Sequence, residues 1–261
     1  MLHRHEKNGL AWYSFSLFDE NPELIHGALT RYGGLSGPEG GELHLAFSDE
    51  RPEEEVRGNL RLAQEALGVP PLAFIRQTHS ANATVVRLAD KYHPQKPSDI
   101  RQDCDALIAP EPGVGLLVRL ADCQGVILYD PRSKILALVH SGWRGSVQNI
   151  LGLTVDRMKS LGASPIDMKA AISPSLGPCC AEFVNYRREL PEEFRDFMVR
   201  ENHFDFWAIS RKQLTDRGLK SDNIEAAGIC TKCTPEFFSY RRGDWGRHGL
   251  IAAVSPDGRR Q

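Results

Sequence analysis

The chain has 261 residues, 41% hydrophobic and 25% charged, the balance of a soluble globular protein long enough for one large core. A net charge of −2 lacks the basic excess of a nucleic-acid binder, and no apolar run is long enough to span a membrane. The opening residues, MLHRHEKNGLAWYSFSLFDE, contain no signal-peptide core, so a cytoplasmic, reducing setting is expected.

Gly/Pro-rich breaks at residues 33–42 and 93–99 are short enough to be loops inside one domain spanning 1–261. Between them, EEEVRGNLRLAQEALG sets Val56, Leu60, Leu62, Ala63 and Leu67 at helical spacing, with Gly68 as the stop. LAFIRQ and ATVVRL flank THSAN and read as strand, turn, strand, which puts His79 at a strand end. Next, GLLVRL, GVILYD and ILALVH read as strands separated by the turns ADCQ and PRSK. Their nearly unbroken apolar character suits strands covered on both faces. Cys123 stands just before one of these strands and His140 at the end of another. After SGWRG, the residues Val147, Leu151, Val155, Met158 and Leu161 share one face of a predicted helix that Gly162 ends. SPSLGPCC is a turn-rich loop, SRKQL starts with Ser210 and Gln213 in capping-box register, and NIEAAGI and HGLIAAVS read as later strands. Strands and helices intermix throughout, so the class is α/β or α+β.

Imidazole and thiolate are preferred zinc ligands, and three protein ligands leave a fourth position for water or substrate. His79, Cys123 and His140 form such a candidate set, although their spacing leaves open whether they converge or are ordinary core residues. Asp122 precedes the thiol, where it can orient a ligand or exchange a proton. Arg144 opens the predicted helix, where a guanidinium and free backbone amides suit an anion; otherwise it is a solvated helix-start residue. FFSYRRGDWGR combines aromatic faces with Arg241, Arg242 and Arg247, which suits a flat base or an anion. Cys179, Cys180 and the C-x-x-C of Cys230 and Cys233 could supply four zinc thiolates. Adjacent cysteines are poorly placed to share one metal, so these four read as ordinary thiols, and replacing Cys230 and Cys233 with serine is expected to leave metal content and activity largely intact.

TRYGG (30–34), QTHS (77–80), DALIA (105–109), ADCQGVILYD (121–130), HSGWRG (140–145), SPSLGPCC (173–180) and FFSYRR (237–242) resemble, in order, the successive motifs of the laccase-domain family. That family is also described as the multicopper polyphenol oxidase, peptidoglycan-editing-factor or purine nucleoside phosphorylase family. The resemblance runs from about residue 13 to the C-terminus. It implies a four-layer α/β/β/α arrangement with mixed sheets, and a zinc ion held by His79, Cys123 and His140. It further implies phosphorolysis of purine nucleosides (inosine, adenosine or methylthioadenosine) and deamination of adenosine. In this reading Arg31 and Arg144 hold phosphate, Asp122 assists the departing base, and Gln77, Ser175 and Arg241 contact substrate. The partners are then a small nucleoside and phosphate, with monomer or weak dimer left open. The chain departs from the family pattern at Gln124–Gly125, where a proline usually follows soon after A-D-C, at Ser141 in place of alanine, and at His44 in place of asparagine. His44 is thereby a candidate extra ligand or specificity residue.

Copper (Cu2+) is the alternative metal, with polyphenol oxidation as its activity. A blue-copper plus trinuclear centre takes about ten histidines, mostly in H-x-H pairs. This chain has nine, and its one such pair, His3 and His5, lies at the N-terminus. Two further readings are a metal-free hydrolase of cell-wall precursors with Cys123 as nucleophile and His140 as base, and a nucleoside binder without turnover.

Overall fold

The computed structural model describes residues 1–37, 39–47, 52–90 and 100–258, so the predicted loop at 93–99 lies outside the described residues. In chain order the strands of the two main sheets are β1 (Leu2–Lys7), β2 (Leu10–Phe15), β3 (Leu24–Leu29), β4 (Leu72–Arg76), β5 (Ala83–Val85), β6 (Ile100–Asp103) and β7 (Ala106–Ala109). They continue with β8 (Gly115–Leu120), β9 (Gln124–Asp130), β10 (Ile135–Ser141), β11 (Lys169–Ile172), β12 (Ile224–Ala226) and β13 (His248–Val254). The helices that matter here are α1 (Glu53–Leu67), α2 (Trp143–Val147), α3 (Ile150–Ser160) and α4 (Phe206–Thr215).

One sheet is seven-stranded, in the order β1-β2-β3-β13-β8-β4-β6, and the other six-stranded, in the order β12-β11-β9-β10-β7-β5. Both mix parallel and antiparallel pairs. Side-chain alternation along the central strands stacks them. In β8, Leu116, Val118 and Leu120 pack between the sheets against Ile127, Tyr129, Leu136 and Leu138 of β9 and β10. Leu117 points the other way, into a cluster with Ala63 and Leu67 of α1. On the far side, Ala137 and Val139 of β10 pack against Ile150, Leu151, Val155 and Met158 of α3 and Leu214 of α4. The result is four layers, α/β/β/α, and it explains the unbroken apolar strands: every residue of β9 and β10 is buried.

Helix α1 ends as expected, with Gly68 in the left-handed region (φ 69°) donating its N–H to Gln64. Two expectations about helices are corrected. The helix predicted after SGWRG is two helices, because Asn149 adopts φ 56° and caps α3 by accepting from the Gly152 N–H at 3.1 Å. Ser210 does not start a helix. Phe206 and Ile209 bury the preceding turn, and Asp205 is the cap, accepting from the Ala208 N–H at 3.0 Å.

Two connections that read locally as turns cross between the sheets. Residues 77–82 carry the chain from β4 in the larger sheet to β5 in the smaller, and residues 121–123 carry it from β8 to β9. His79 and Cys123 therefore lie on adjacent crossings at one end of the sheet sandwich. The hairpin of β9 and β10 pairs Gly125 with His140 and brings that histidine beside the second crossing.

Candidate functional site

The donor atoms of His79, Cys123 and His140 lie within 4.8 Å of one another. The Cys123 sulfur is 3.8 Å from His79 Nε2, and the two imidazoles stand edge to face with centroids 5.0 Å apart. Both crossings are tightly wound: His79 has φ 60° and Asp122, which precedes Cys123, has φ 83°, in the left-handed region that non-glycine residues seldom adopt. Gly142 closes the cradle, since a Cβ there would lie 2.7 Å from the His79 ring and 3.1 Å from the Cys123 sulfur. Two imidazoles and one thiolate converging on a point suit a tetrahedral metal with one open position.

Behind the three donors lies Asp105, fully buried at the start of the DALIA motif. Its carboxylate accepts from the backbone N–H groups of Thr78 (3.3 Å), His79 (3.0 Å) and Ser80 (2.6 Å), and from the Ser80 hydroxyl (2.7 Å). It also holds Nδ1 of His140 at 2.7 Å. One carboxylate thus winds the His79 turn and orients His140, leaving the Nε2 of that ring toward Cys123, as ligand histidines are commonly arranged. Sequence reading assigned Asp105 no role. The available signal was an acidic residue set directly against the wholly apolar strand ALIA.

Burial works against ionising Asp105, but hydrogen bonds from His140 and Ser80 outweigh it and bring its carboxyl down to about 2. Burial also opposes a thiolate at Cys123, and the facing His140 and His79 overcome it, lowering that thiol to about 6. His140 is depressed by burial yet raised to about 9 by Cys123 and Asp105. The site is therefore poised to present a thiolate, the form in which cysteine binds metal or attacks carbon.

The three donors open into a cleft of about 1760 Å³. Trp143, Phe183, Phe206 and Tyr240 give it flat apolar walls, and Arg76, Arg119, Arg144, Arg241 and Arg247 give it positive charge. The exposed Arg144 guanidinium stacks on Trp143, 4.3 Å from the ring centre. Arg76 is bound bidentately by Asp103 at 2.7 and 3.0 Å.

The other residues expected at the site divide between the cleft lining and its surroundings. Asp122 and Arg241 line the cleft, but both Asp122 oxygens are occupied, one by the Thr231 hydroxyl and the other by the Arg241 backbone N–H, each at 2.6 Å. Gln77 also lines the cleft and spans to β8, exchanging hydrogen bonds with the Arg119 backbone at 2.8 Å in both directions. Arg31 is not in the cleft lining; it is ion-paired to Glu42 and lies 4.4 Å above the Phe238 ring. Ser175 is likewise outside the lining, fully buried and accepting from the Trp207 indole at 2.7 Å. His44 is buried with Nδ1 accepting from the Arg247 N–H at 3.0 Å and lies outside the donor set. Arg144 opens only the five-residue α2, so the dipole of a long helix does not act there.

Residues 25–255 match the family described as multi-copper polyphenol oxidoreductase laccase. The chain is 32% identical to the purine nucleoside phosphorylase of Bacteroides thetaiotaomicron over 253 residues, covering 91% of this chain and 92% of that protein. It is 31% identical to adenosine deaminase RL5, from an unknown prokaryotic organism, over 69% of this chain and 72% of that one. The crystal structure of YlmD from Geobacillus stearothermophilus superposes with a TM-score of 0.82 at 26% identity, covering 96% of this chain and 98% of that one.

Proposed function

Because the chain belongs to the multi-copper polyphenol oxidoreductase laccase family, whose members with curated names include purine nucleoside phosphorylases, we propose that it cleaves purine nucleosides with phosphate. The observation that carries this reading is the His79–Cys123–His140 set at the floor of a cleft with both aromatic and cationic walls. His79, Cys123 and His140 would hold a zinc ion, which would supply Lewis-acid chemistry beside the cleft. A metal-free Cys–His–carboxylate nucleophile would need only Cys123, His140 and Asp105. The third donor, with His79 Nε2 3.8 Å from the sulfur, favours the metal.

In phosphorolysis an oxygen of phosphate bonds to the anomeric carbon while the glycosidic bond breaks. The electron pair leaves with the purine, which takes up a proton, and the products are ribose 1-phosphate and the free base. Trp143 and Phe183 offer faces for a purine to stack on. Arg144 and Arg241 offer guanidinium groups to phosphate. Asp105 fixes the His140 ring, and Asp122, engaged at both oxygens, serves as a positioning residue that holds the Arg241 turn against the crossing. The likeness to adenosine deaminase RL5 supports a second activity at the same floor, the replacement of the adenine amino group by water.

Product analysis with inosine, adenosine and methylthioadenosine, with and without phosphate, tests the proposal. The expected result is base release that requires phosphate, with inosine and ammonia from adenosine as the mark of deamination. Base release independent of phosphate, or no turnover of any purine nucleoside, overturns it.

A further inference from the structure

A second donor cluster lies outside the catalytic floor. Cys179, Cys180, Cys230 and Cys233 come from two distant loops, yet their four sulfurs all lie within 4.8 Å of one another. Two of the separations are 3.8 Å (Cys179 to Cys233) and 3.5 Å (Cys180 to Cys233). Zinc–sulfur bonds of about 2.3 Å give tetrahedral sulfur–sulfur edges of about 3.8 Å, which these two separations match, and none of the others exceeds 4.8 Å.

The objection that adjacent cysteines cannot share a metal fails for a local reason. Residues 177–181 form a tight turn, with the Cys180 and Ala181 N–H groups both donating to the Gly177 carbonyl at 2.9 and 3.0 Å. That curvature brings both sulfurs to one side. Gly177 is needed for the approach, since a Cβ there would lie 3.0 Å from Cys230 Cβ and 2.9 Å from Trp207. The C-x-x-C segment is also a turn, closed by the Thr234 N–H on the Cys230 carbonyl at 3.0 Å. The backbone amides of Gly177 and Cys233 face the Cys230 sulfur, as suits a thiolate. A short parallel bridge between Ser175 and Cys230 keeps the two loops in register. Four thiolates around a divalent cation leave a net negative charge, and two guanidinium groups stand by: Arg200 and Arg241 donate to the Cys179 and Cys180 carbonyls at 2.8 and 3.3 Å.

We infer that Cys179, Cys180, Cys230 and Cys233 bind a structural zinc ion that fastens the 173–181 loop to the 228–234 loop. The site is closed, with four protein donors and no position for substrate. Its place gives it a purpose. Thr231, inside the C-x-x-C, and Arg241, hydrogen-bonded to the Cys180 turn, are the residues that hold the Asp122 carboxylate. Leu176, from the other loop, donates its N–H to the Asp122 carbonyl at 2.8 Å. The zinc thus pins the wall of the cleft beside Cys123, and it does so whatever reaction the cleft performs.

The test uses the full chain with the cleft donors removed, as His79→Ala with Cys123→Ala. Metal analysis after growth with zinc is expected to find about one zinc per chain, and X-ray absorption to find four sulfurs at about 2.3 Å. Adding Cys230→Ser and Cys233→Ser should abolish that zinc. Should the four-fold variant fail to fold, alkylation of the two-fold variant decides: the four cysteines should be protected with zinc and become reactive after chelation. A two-fold variant that is folded but binds no zinc overturns the inference. So does a shell containing nitrogen or oxygen, alkylation unaffected by chelation, or recovery of the cysteines as disulfides. None of these results depends on turnover of nucleosides, so failure here is distinct from failure of the proposed reaction.

Discussion

The His79–Cys123–His140 group and the four-cysteine group flank the same residue, Asp122, and both are assembled from loops that are distant in sequence. They differ in donor number and in what stands behind the donors. The first has three donors of mixed type, a buried carboxylate orienting one of them, and a cleft of about 1760 Å³ in front. The second has four thiols, backbone amides around one of them and arginines on the ligand-bearing turns. An incomplete shell is useful only if something else completes it, whereas a complete shell is useful only as a fastening. The contrast is between three converging donors that face a cleft and four that face one another.

The hardest test of this contrast is removal of one donor from each group. Cys123→Ala is expected to abolish turnover while leaving the melting temperature nearly unchanged, because an open site contributes little to the fold. Cys233→Ser should do the reverse, lowering the melting temperature by several degrees and reducing turnover only partly. Thermal melts and initial rates on the two proteins check this, and matching losses in both would erase the distinction.

Next in size is the pH behaviour of the metal-stripped thiols. Burial works against a thiolate at both Cys123 and Cys179, but the His140 and His79 rings pull Cys123 down to about 6, whereas hydrogen bonds from neighbouring thiols push Cys179 further upward. Cys123 is therefore ionised above about pH 6 and Cys179 remains a thiol through neutrality. Alkylation with iodoacetamide, read by peptide mass spectrometry between pH 5 and pH 8 (on the order of the range where these forms separate), should label Cys123 first with a midpoint near 6. Equal labelling of both at all pH values would refute the assignment.

Asp105→Asn keeps the shape of the side chain but removes the charge behind His140. Loss of such an orienting partner costs roughly 10–100-fold in metal affinity. Competition with a chromophoric chelator measures it, and the four-cysteine site should be unaffected. The smallest effect is expected for Arg144→Ala, which removes an exposed guanidinium from the cleft rim. Saturation by phosphate should weaken roughly tenfold, with nucleoside saturation almost unchanged. Equal loss for both substrates would place Arg144 outside the phosphate seat.

His79, Cys123 and His140 were legible as metal-type residues at strand ends, and the structure adds that their donor atoms lie within 4.8 Å of one another. Asp105 was not legible, because a buried acid next to an apolar strand looks locally like a loop-edge residue until its five hydrogen bonds are seen. The four-cysteine group was visible as residues and misjudged as geometry, since adjacency along the chain says nothing about a turn that faces two sulfurs inward. Arg31, a motif arginine expected to hold phosphate, lies outside the cleft lining, ion-paired to Glu42 and Asp244 over the Phe238 ring.

What the sequence by itself determined is local: unbroken apolar strands that need cover on both faces, the α1 helix with its glycine stop, and the chemical identity of the metal-type donors. These follow from side-chain period and backbone preference, which act over a few residues. Only the tertiary structure decided that the segments 77–82 and 121–123 are crossings between two sheets rather than hairpin turns. No residue within either segment encodes that choice. It is made by the pairing of β8 with β13 and of β9 with β11, contacts between strands far apart in the chain, and by the apolar layer that both sheets must bury against each other. Those long-range contacts place His79, Cys123 and His140 around one point.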